Sequence, residues 1–191
     1  DVRFEEIETE GNTKITQEDF SYARSFGMAI KLLGMVRKNE NGFFTIVAPF
    51  MIPLEHPLAS VNKVFNAIVV HGNMLGNTMF YGKGAGKEAT ASAVVGDLID
   101  CVIHAGSHIE VNMNAEPAQL SDNGSFVHRF FVRVPEESAD AALEAFGDGI
   151  EHITAEDVAG EFAFVTDLIS EKHFHEAYEK LDRAKGYIRL L

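Results

Sequence analysis

The 191-residue chain is 46% hydrophobic and 24% charged, the composition of a globular protein of one or two domains rather than of a disordered or collagen-like chain. Sixteen Lys and Arg against 29 Asp and Glu leave a net charge of −13, which repels phosphate backbones and anionic membrane surfaces, and no run approaches the ~18 apolar residues of a spanning helix; nucleic-acid and membrane partners are not expected. Cys101 stands alone, without a partner for an internal disulfide, and the N-terminus carries no basic segment followed by an apolar stretch, so a reducing cytoplasm is the expected compartment.

The chain opens at Asp1 without a methionine, and its first ten residues alternate like a strand, which predicts a start inside a longer polypeptide. Thr16-Gln17-Glu18-Asp19 reads as an N-cap with acidic first-turn residues, and Tyr22, Ala23 and Phe26 continue a helix over about 16–27 that Gly27 ends. Met28 to Arg37 and Phe43 to Val47 then read as two strands joined by a turn at 38–42. A second hairpin is predicted from Val64–Gly72 and Thr78–Gly82, flanking 73–77. From Thr90 to Ala105, Ala91, Val94, Val95, Leu98, Ile99 and Val102 recur at helical spacing, which predicts a long, well-buried helix with Cys101 as a packed thiol. Met74 and Met79 are read as packing residues.

Turn formers gather between 106 and 125, and the charge shifts there: residues 1–119 carry 9 basic and 14 acidic groups, residues 120–191 carry 7 and 15. The expected division is 1–106, a linker over 107–124, and a second piece over 125–191. That second piece reads as a strand at Val127–Val134, a helix at Ala139–Phe146, strands at Ile150–Val158 and Glu161–Thr166, a helix from its cap Ser170 to about Lys185, and a last strand at Tyr187–Leu190. The order βαββαβ is that of a split ferredoxin-like unit, a fold that hosts many functions. The fold class expected for the whole is α+β: a mixed sheet with helices, followed by this ferredoxin-like unit.

The segment with the clearest chemical content is Gly82-Lys83-Gly84-Ala85-Gly86, which runs from a strand into a helix. Glycines let a backbone approach a ligand closely, and a helix N-terminus offers free N–H groups to a phosphate or carboxylate. The other reading is a tight strand-to-helix turn whose glycines only permit packing. The pattern is neither a Walker loop nor the dinucleotide fingerprint. Lys83 and Lys87 flank it, either adding charge to an anion site or standing as solvated surface lysines. Metal binding is not expected. His173 and His175 lie two apart on a predicted helix, His104 and His108 straddle a helix end, and neither pair has clustered carboxylates or cysteines beside it. His71, beside Gly72, reads as structural or partly exposed, and no acid–base pair or nucleophile elbow is assembled.

Taken together, Phe65-Asn66-Ala67-Ile68, Gly72, Gly76, the run from Met79 to Gly86, Thr90 to Val95 and Asp97 resemble the distal catalytic region of homoserine dehydrogenase. Earlier motifs in the same order extend the resemblance over about 5–103: Ile15-Thr16-Gln17-Glu18-Asp19, Tyr22-Ala23, Gly27, Ile30-Lys31-Leu32-Leu33-Gly34, and Pro53 with His56-Pro57-Leu58. The resemblance implies oxidation of homoserine to aspartate semialdehyde, or the reverse reduction, with NAD or NADP, in threonine, methionine and isoleucine synthesis. It places Gly86 against the nicotinamide nucleotide, with Gly84, Ala85 and Thr90 as its neighbours. The family's Rossmann domain, acid–base lysine, acidic substrate-binding residues and metal loop precede the matched part, so no catalytic or metal residue is assigned, Lys31 is not the catalytic lysine, and the chain alone is expected to be inactive and to bind cofactor weakly.

The C-terminal piece resembles the ACT regulatory domain, which implies an amino-acid effector such as threonine and a homodimer. Where that pattern has Asp-x-Pro-Gly, this chain has Pro135-Glu136-Glu137-Ser138-Ala139-Asp140, and the lost glycine argues against threonine binding. The competing reading is a non-catalytic amino-acid-sensing or oligomerisation module, whose edge strands pair across a two-fold axis.

Overall fold

The computed structural model describes residues 2–107 and 116–191. The chain packs as two compact units, one built from the described residues up to 54 and from 116 onward, the other from 55–107.

The first unit starts differently from the alternating pattern: residues Phe4–Glu6 form a 3₁₀ turn, and only Glu8–Thr9 (β1) are extended in a sheet. Helix α1 (Gln17–Ser25) begins where the Asp19 carboxylate accepts a 2.8 Å bond from the Thr16 N–H, and it ends at Gly27, whose φ of 67° turns the chain. The hairpin β2 (Met28–Asn39) and β3 (Gly42–Pro53) follows, in register from Met28↔Pro53 to Asn39↔Gly42, longer than the sequence pattern indicates. Gly42 has φ 128°, and a Cβ there would run into the Gln119 carbonyl, which accepts from the Phe43 N–H at 2.9 Å.

The C-terminal segment supplies β6 (Val127–Pro135), α3 (Ala139–Phe146), β7 (Glu151–Ile153), β8 (Glu161–Val165), β9 (Ile169–Ser170), α4 (Glu171–Tyr178) and β10 (Gly186–Leu190). Its strands run antiparallel in the order β10-β6-β8-β7, with β9 on the start of β6. They do not form a separate sheet. β10 pairs in parallel with β3 through Arg189↔Phe50 and Leu190↔Met51, on the same strand whose Ile46 and Val47 take β1, so N- and C-terminal segments share one eight-stranded mixed sheet. Residues up to 54 join the C-terminal strands in the first unit, and those from 55 belong to the second unit. Of the linker expected at 107–124, residues 108–115 lie outside the described residues, while Leu120 bridges Phe43 in parallel and Asn123–Ser125 form a 3₁₀ turn.

Leu32 and Val36 of β2 are exposed, whereas around β6, β8 and β10 both faces of the shared sheet are covered. On one, Phe131, Ile188, Leu190, Ala163 and Val165 pack against Tyr22 and Ala23 of α1; on the other, Phe130, Val132, Val134 and Phe164 pack against Ala142 of α3 and Phe174 of α4. Phe130 and Phe174 stack with ring centroids 3.6 Å apart. Two C-terminal elements are shorter than expected. β7 stops at Ile153, and the chain turns through a Val158 N–H to Ala155 carbonyl bond rather than continuing as a strand to Val158. α4 stops at Tyr178, where tighter i to i−3 bonds take over from Lys180 and Leu181, and Arg183 in a left-handed conformation (φ 58°) turns the chain into β10; the helix does not reach Lys185.

The second unit holds a 3₁₀ turn at Pro57–Ser60, capped by His56 Nδ1 accepting from the Leu58 N–H at 3.2 Å. The antiparallel hairpin β4 (Phe65–Gly72) and β5 (Gly76–Lys83) follows, with Phe65 and Tyr81 stacked at 4.9 Å, and then α2 (Lys87–Ile103). The expected burial of α2 is not found. None of its residues is buried, and Leu98 and Val102 are 61% and 76% exposed, because a helical period shows that a face is apolar but not what covers it. Cys101 is correspondingly exposed rather than packed, and Met74 (88% exposed) and Met79 also face outward instead of packing. No helix among the described residues is long and apolar enough to cross a membrane.

Candidate functional site

The glycine segment lies in the second unit, between the last residue of β5 and the first of α2. Asn66 faces Gly82 in the β4–β5 register, and the Gly84 N–H donates to the Val64 carbonyl at 3.2 Å, carrying the ladder one step past Lys83. This step brings the Gly84 Cα against the Asn66 side chain, where a Cβ would overlap the amide. Glycine at 84 is therefore a steric requirement of the loop. At Gly86 the reason is different: its surroundings are open, but its φ of 121° and ψ of 149° disfavour any residue with a Cβ.

Gly86 is also the N-cap of α2, and no side chain bonds back to the helix start. The first helical bond runs from the Thr90 N–H to the Gly86 carbonyl at 3.1 Å, so the N–H groups of Lys87, Glu88 and Ala89 precede the intrahelical ladder. The loop thus combines a backbone with no side chain at two of three positions, unladdered N–H donors and the positive end of a 17-residue helix. Gly84, Ala85, Gly86 and Thr90 all sit at this one exposed end, flanked by the exposed Lys83 and Lys87. A shallow open depression of about 270 Å³ beside it is lined by residues 66–68 and 80–84. Such an end can receive an anionic or polar edge of a ligand brought close to backbone.

Asn66 stands in the Phe65-Asn66-Ala67-Ile68 motif without a role of its own there. Its place as the floor under Gly84 depends on the cross-strand register, which the motif does not carry. The remaining candidates do not converge on the loop. The exposed His71 makes a 2.7 Å contact from Nδ1 to Asn77 Oδ1 across the hairpin, His173 Nδ1 lies 3.0 Å from the Ser170 hydroxyl at the start of α4, and His108 lies outside the described residues. Among the described residues, no three His, Cys, Asp or Glu gather to hold a metal ion.

The chain is an α+β protein in which one strand passes through a glycine turn into a helix N-terminus without a side-chain cap. Comparison with known proteins narrows the class. The family model described as homoserine dehydrogenase matches residues 1–99. The homoserine dehydrogenase of Pseudomonas aeruginosa is 37% identical over 174 residues, 90% of this chain and 37% of that protein, and the Helicobacter pylori enzyme is 46% identical over 100 residues, 52% of this chain and 24% of that protein. The solved homoserine dehydrogenase of Thiobacillus denitrificans superposes with a TM-score of 0.81 at 31% identity, over 99% of this chain and 48% of that one. The Staphylococcus aureus enzyme solved at pH 7.5 (TM-score 0.74, 24% identity, 100% of this chain and 48% of that one) shares the fold. This chain belongs to the homoserine dehydrogenase family, and it spans less than half the length of each of these relatives.

Proposed function

We propose that the chain is the C-terminal portion of an NAD(P)-dependent homoserine dehydrogenase, in which the Gly84–Gly86 loop and Thr90 receive the nicotinamide nucleotide. The observation that supports this reading most is the loop itself: Gly86 holds a φ of 121° with open space around it, and the α2 N-terminus that it begins has no side-chain cap. These features suit a bulky anionic ligand at van der Waals distance from backbone. When bound, the nicotinamide exchanges a hydride with substrate. This chain's own contribution is to let the nucleotide approach without steric conflict and to turn N–H dipoles toward it.

The substrate pair in this reading is homoserine and aspartate semialdehyde, in the cytoplasmic synthesis of threonine and related amino acids. In this reading the hydride-carrier domain and the acid–base lysine are not among these 191 residues, and the chain by itself is inactive and holds nucleotide weakly. The strand order β10-β6-β8-β7, with α3 and α4 on one face, supports a ferredoxin-like, ACT-like unit over 125–191, following a 1–106 portion of the catalytic domain and a 107–124 linker; the parent protein acts as a homodimer.

The test is Gly86→Val in a longer homoserine dehydrogenase carrying this loop. The variant raises KM for the nucleotide about tenfold or more while KM for homoserine holds, and equal nucleotide KM values would remove the loop from the cofactor site. Homoserine oxidation by the longer protein and not by this chain is the accompanying expectation. Turnover by the 191-residue chain alone would refute the assignment of the chemistry to the unmatched part.

A further inference from the structure

Two arginines of the C-terminal segment are buried on opposite faces of the shared sheet. Arg133 of β6 is 4% exposed and lies on the α1 face; Arg189 of β10 is 0% exposed and lies on the α4 face. Each pairs with one carboxylate of its own segment. Arg133 Nε is 3.2 Å from Glu161 Oε2, an ion-pair contact without hydrogen-bond geometry, and Arg189 grips Glu171 through Nε–Oε1 at 2.5 Å and Nη2–Oε2 at 2.9 Å. The other half of each shell comes from the N-terminal segment. Arg133 Nη1 donates to Thr16 Oγ1 at 2.9 Å and pairs with Asp19 Oδ1 at 3.0 Å, at the first turn of α1, with Glu18 at 3.9 Å. Arg189 Nη2 donates to Glu10 Oε1 at 2.8 Å, with Glu8 at 3.9 Å.

A guanidinium out of water is stabilised by the carboxylates and acceptors around it, and removing one partner of a buried ion pair costs far more than the pair contributes on balance. Were the N-terminal segment to lift away, both arginines would lose part of their acceptor set together, Asp19 would lose its cation, and the apolar surface of Phe131, Val165 and Ile188 under α1 would meet water. Lys185, 2.9 Å from Glu161, also faces the Arg133 site, but it is a cation and cannot replace Asp19.

We propose that Arg133 and Arg189 act as a two-sided latch that makes the 8–53 segment and the C-terminal segment open and close as one cooperative body, so that the C-terminal segment is a structural part of the N-terminal scaffold rather than a detachable appendage. Native-state hydrogen exchange on the full 191-residue chain tests it by comparing the amides of Tyr22 and Ala23 in α1 with those of Phe131 and Val132 in β6. In the unmodified chain the two sets share the same opening equilibrium. In Asp19→Asn, which leaves the Arg133–Glu161 pair of the C-terminal segment in place, the α1 amides lose protection about tenfold or more relative to β6, because the first turn of α1 is released while the C-terminal sheet holds. Should that variant fail to fold, Thr16→Val, which removes the other N-terminal acceptor of Arg133, gives the same separation in weaker form. Alpha-1 amides that already exchange about a hundredfold faster than β6 in the unmodified chain, or a loss that is equal in α1 and β6 in the variants, overturn the latch.

Discussion

Replacing Glu171 by Gln tests how the buried charges hold the shared sheet. The side chain keeps its shape but loses its charge, and one of its two acceptor positions becomes an NH₂ aimed at the Arg189 guanidinium. Arg189 is fully buried, and Glu171 is its two-bond partner at 2.5 and 2.9 Å. Removing one member of a buried pair costs about 3–5 kcal/mol. Glu10, half-buried at 2.8 Å, stays on Nη2, so the guanidinium is not left wholly alone and the lower end applies, about 3 kcal/mol. Against a total stability of roughly 5–15 kcal/mol this is a large fraction. With a slope of about 2 kcal/mol per molar urea, the unfolding midpoint falls by about 1.5 M at unchanged slope. Urea titration followed by circular dichroism reads this directly. The double variant Glu171→Met, Arg189→Met recovers most of the loss, since an apolar pair of similar volume needs no compensation. A midpoint shift for Glu171→Gln under about 0.3 M would mean that water reaches the site and that Arg189 does not depend on Glu171.

The burial of His128 makes stability depend on pH. Packed among Phe44, Phe50, Phe126 and Phe130, with Glu171 at 3.7 Å and the cations Arg189 and Arg37 opposing a second positive charge, its imidazole is pushed down to about 4. The folded state disfavours the protonated form, so this contribution is full above about pH 6.5 and is lost as pH falls toward 4, by up to about 3 kcal/mol; in His128→Gln the decline in urea midpoint across that window is flatter, and an unchanged decline assigns it to other groups. Gly84→Ala destabilises the second unit by about 1–3 kcal/mol through overlap with the Asn66 amide, and Asn66→Ala in the same chain relieves most of it, whereas a double variant no better than the single excludes that clash as the cause. Leu98→Lys on the exposed face of α2 changes the stability of this chain by no more than about 0.5 kcal/mol in thermal unfolding, and a larger loss would show the face to be covered in solution.

Local chemistry made much of the protein legible in its sequence. The cap at Thr16, the stop at Gly27, the turn before Gly42, the β4–β5 hairpin, the exact span of α3 and the glycine loop into α2 follow from residues within a few positions of each other, where φ preferences, capping and side-chain period act. The motifs that mark the family are likewise contiguous, and the matched 1–99 region contains the whole loop. What tertiary structure decided is where these pieces meet. Alternation in β6 does not say that its two faces meet different helices, α1 from one end of the chain and α4 from the other, nor that β10 crosses to pair with β3. The apolar period of α2 is equally compatible with a buried and an open face, and the structure selects the open one. Arg133 and Arg189 stand in the sequence as ordinary strand residues. Only folding places Asp19 and Glu10, more than a hundred residues away, against them, because a buried cation is stable solely where the fold delivers its counter-charges, and sequence separation carries no record of that delivery.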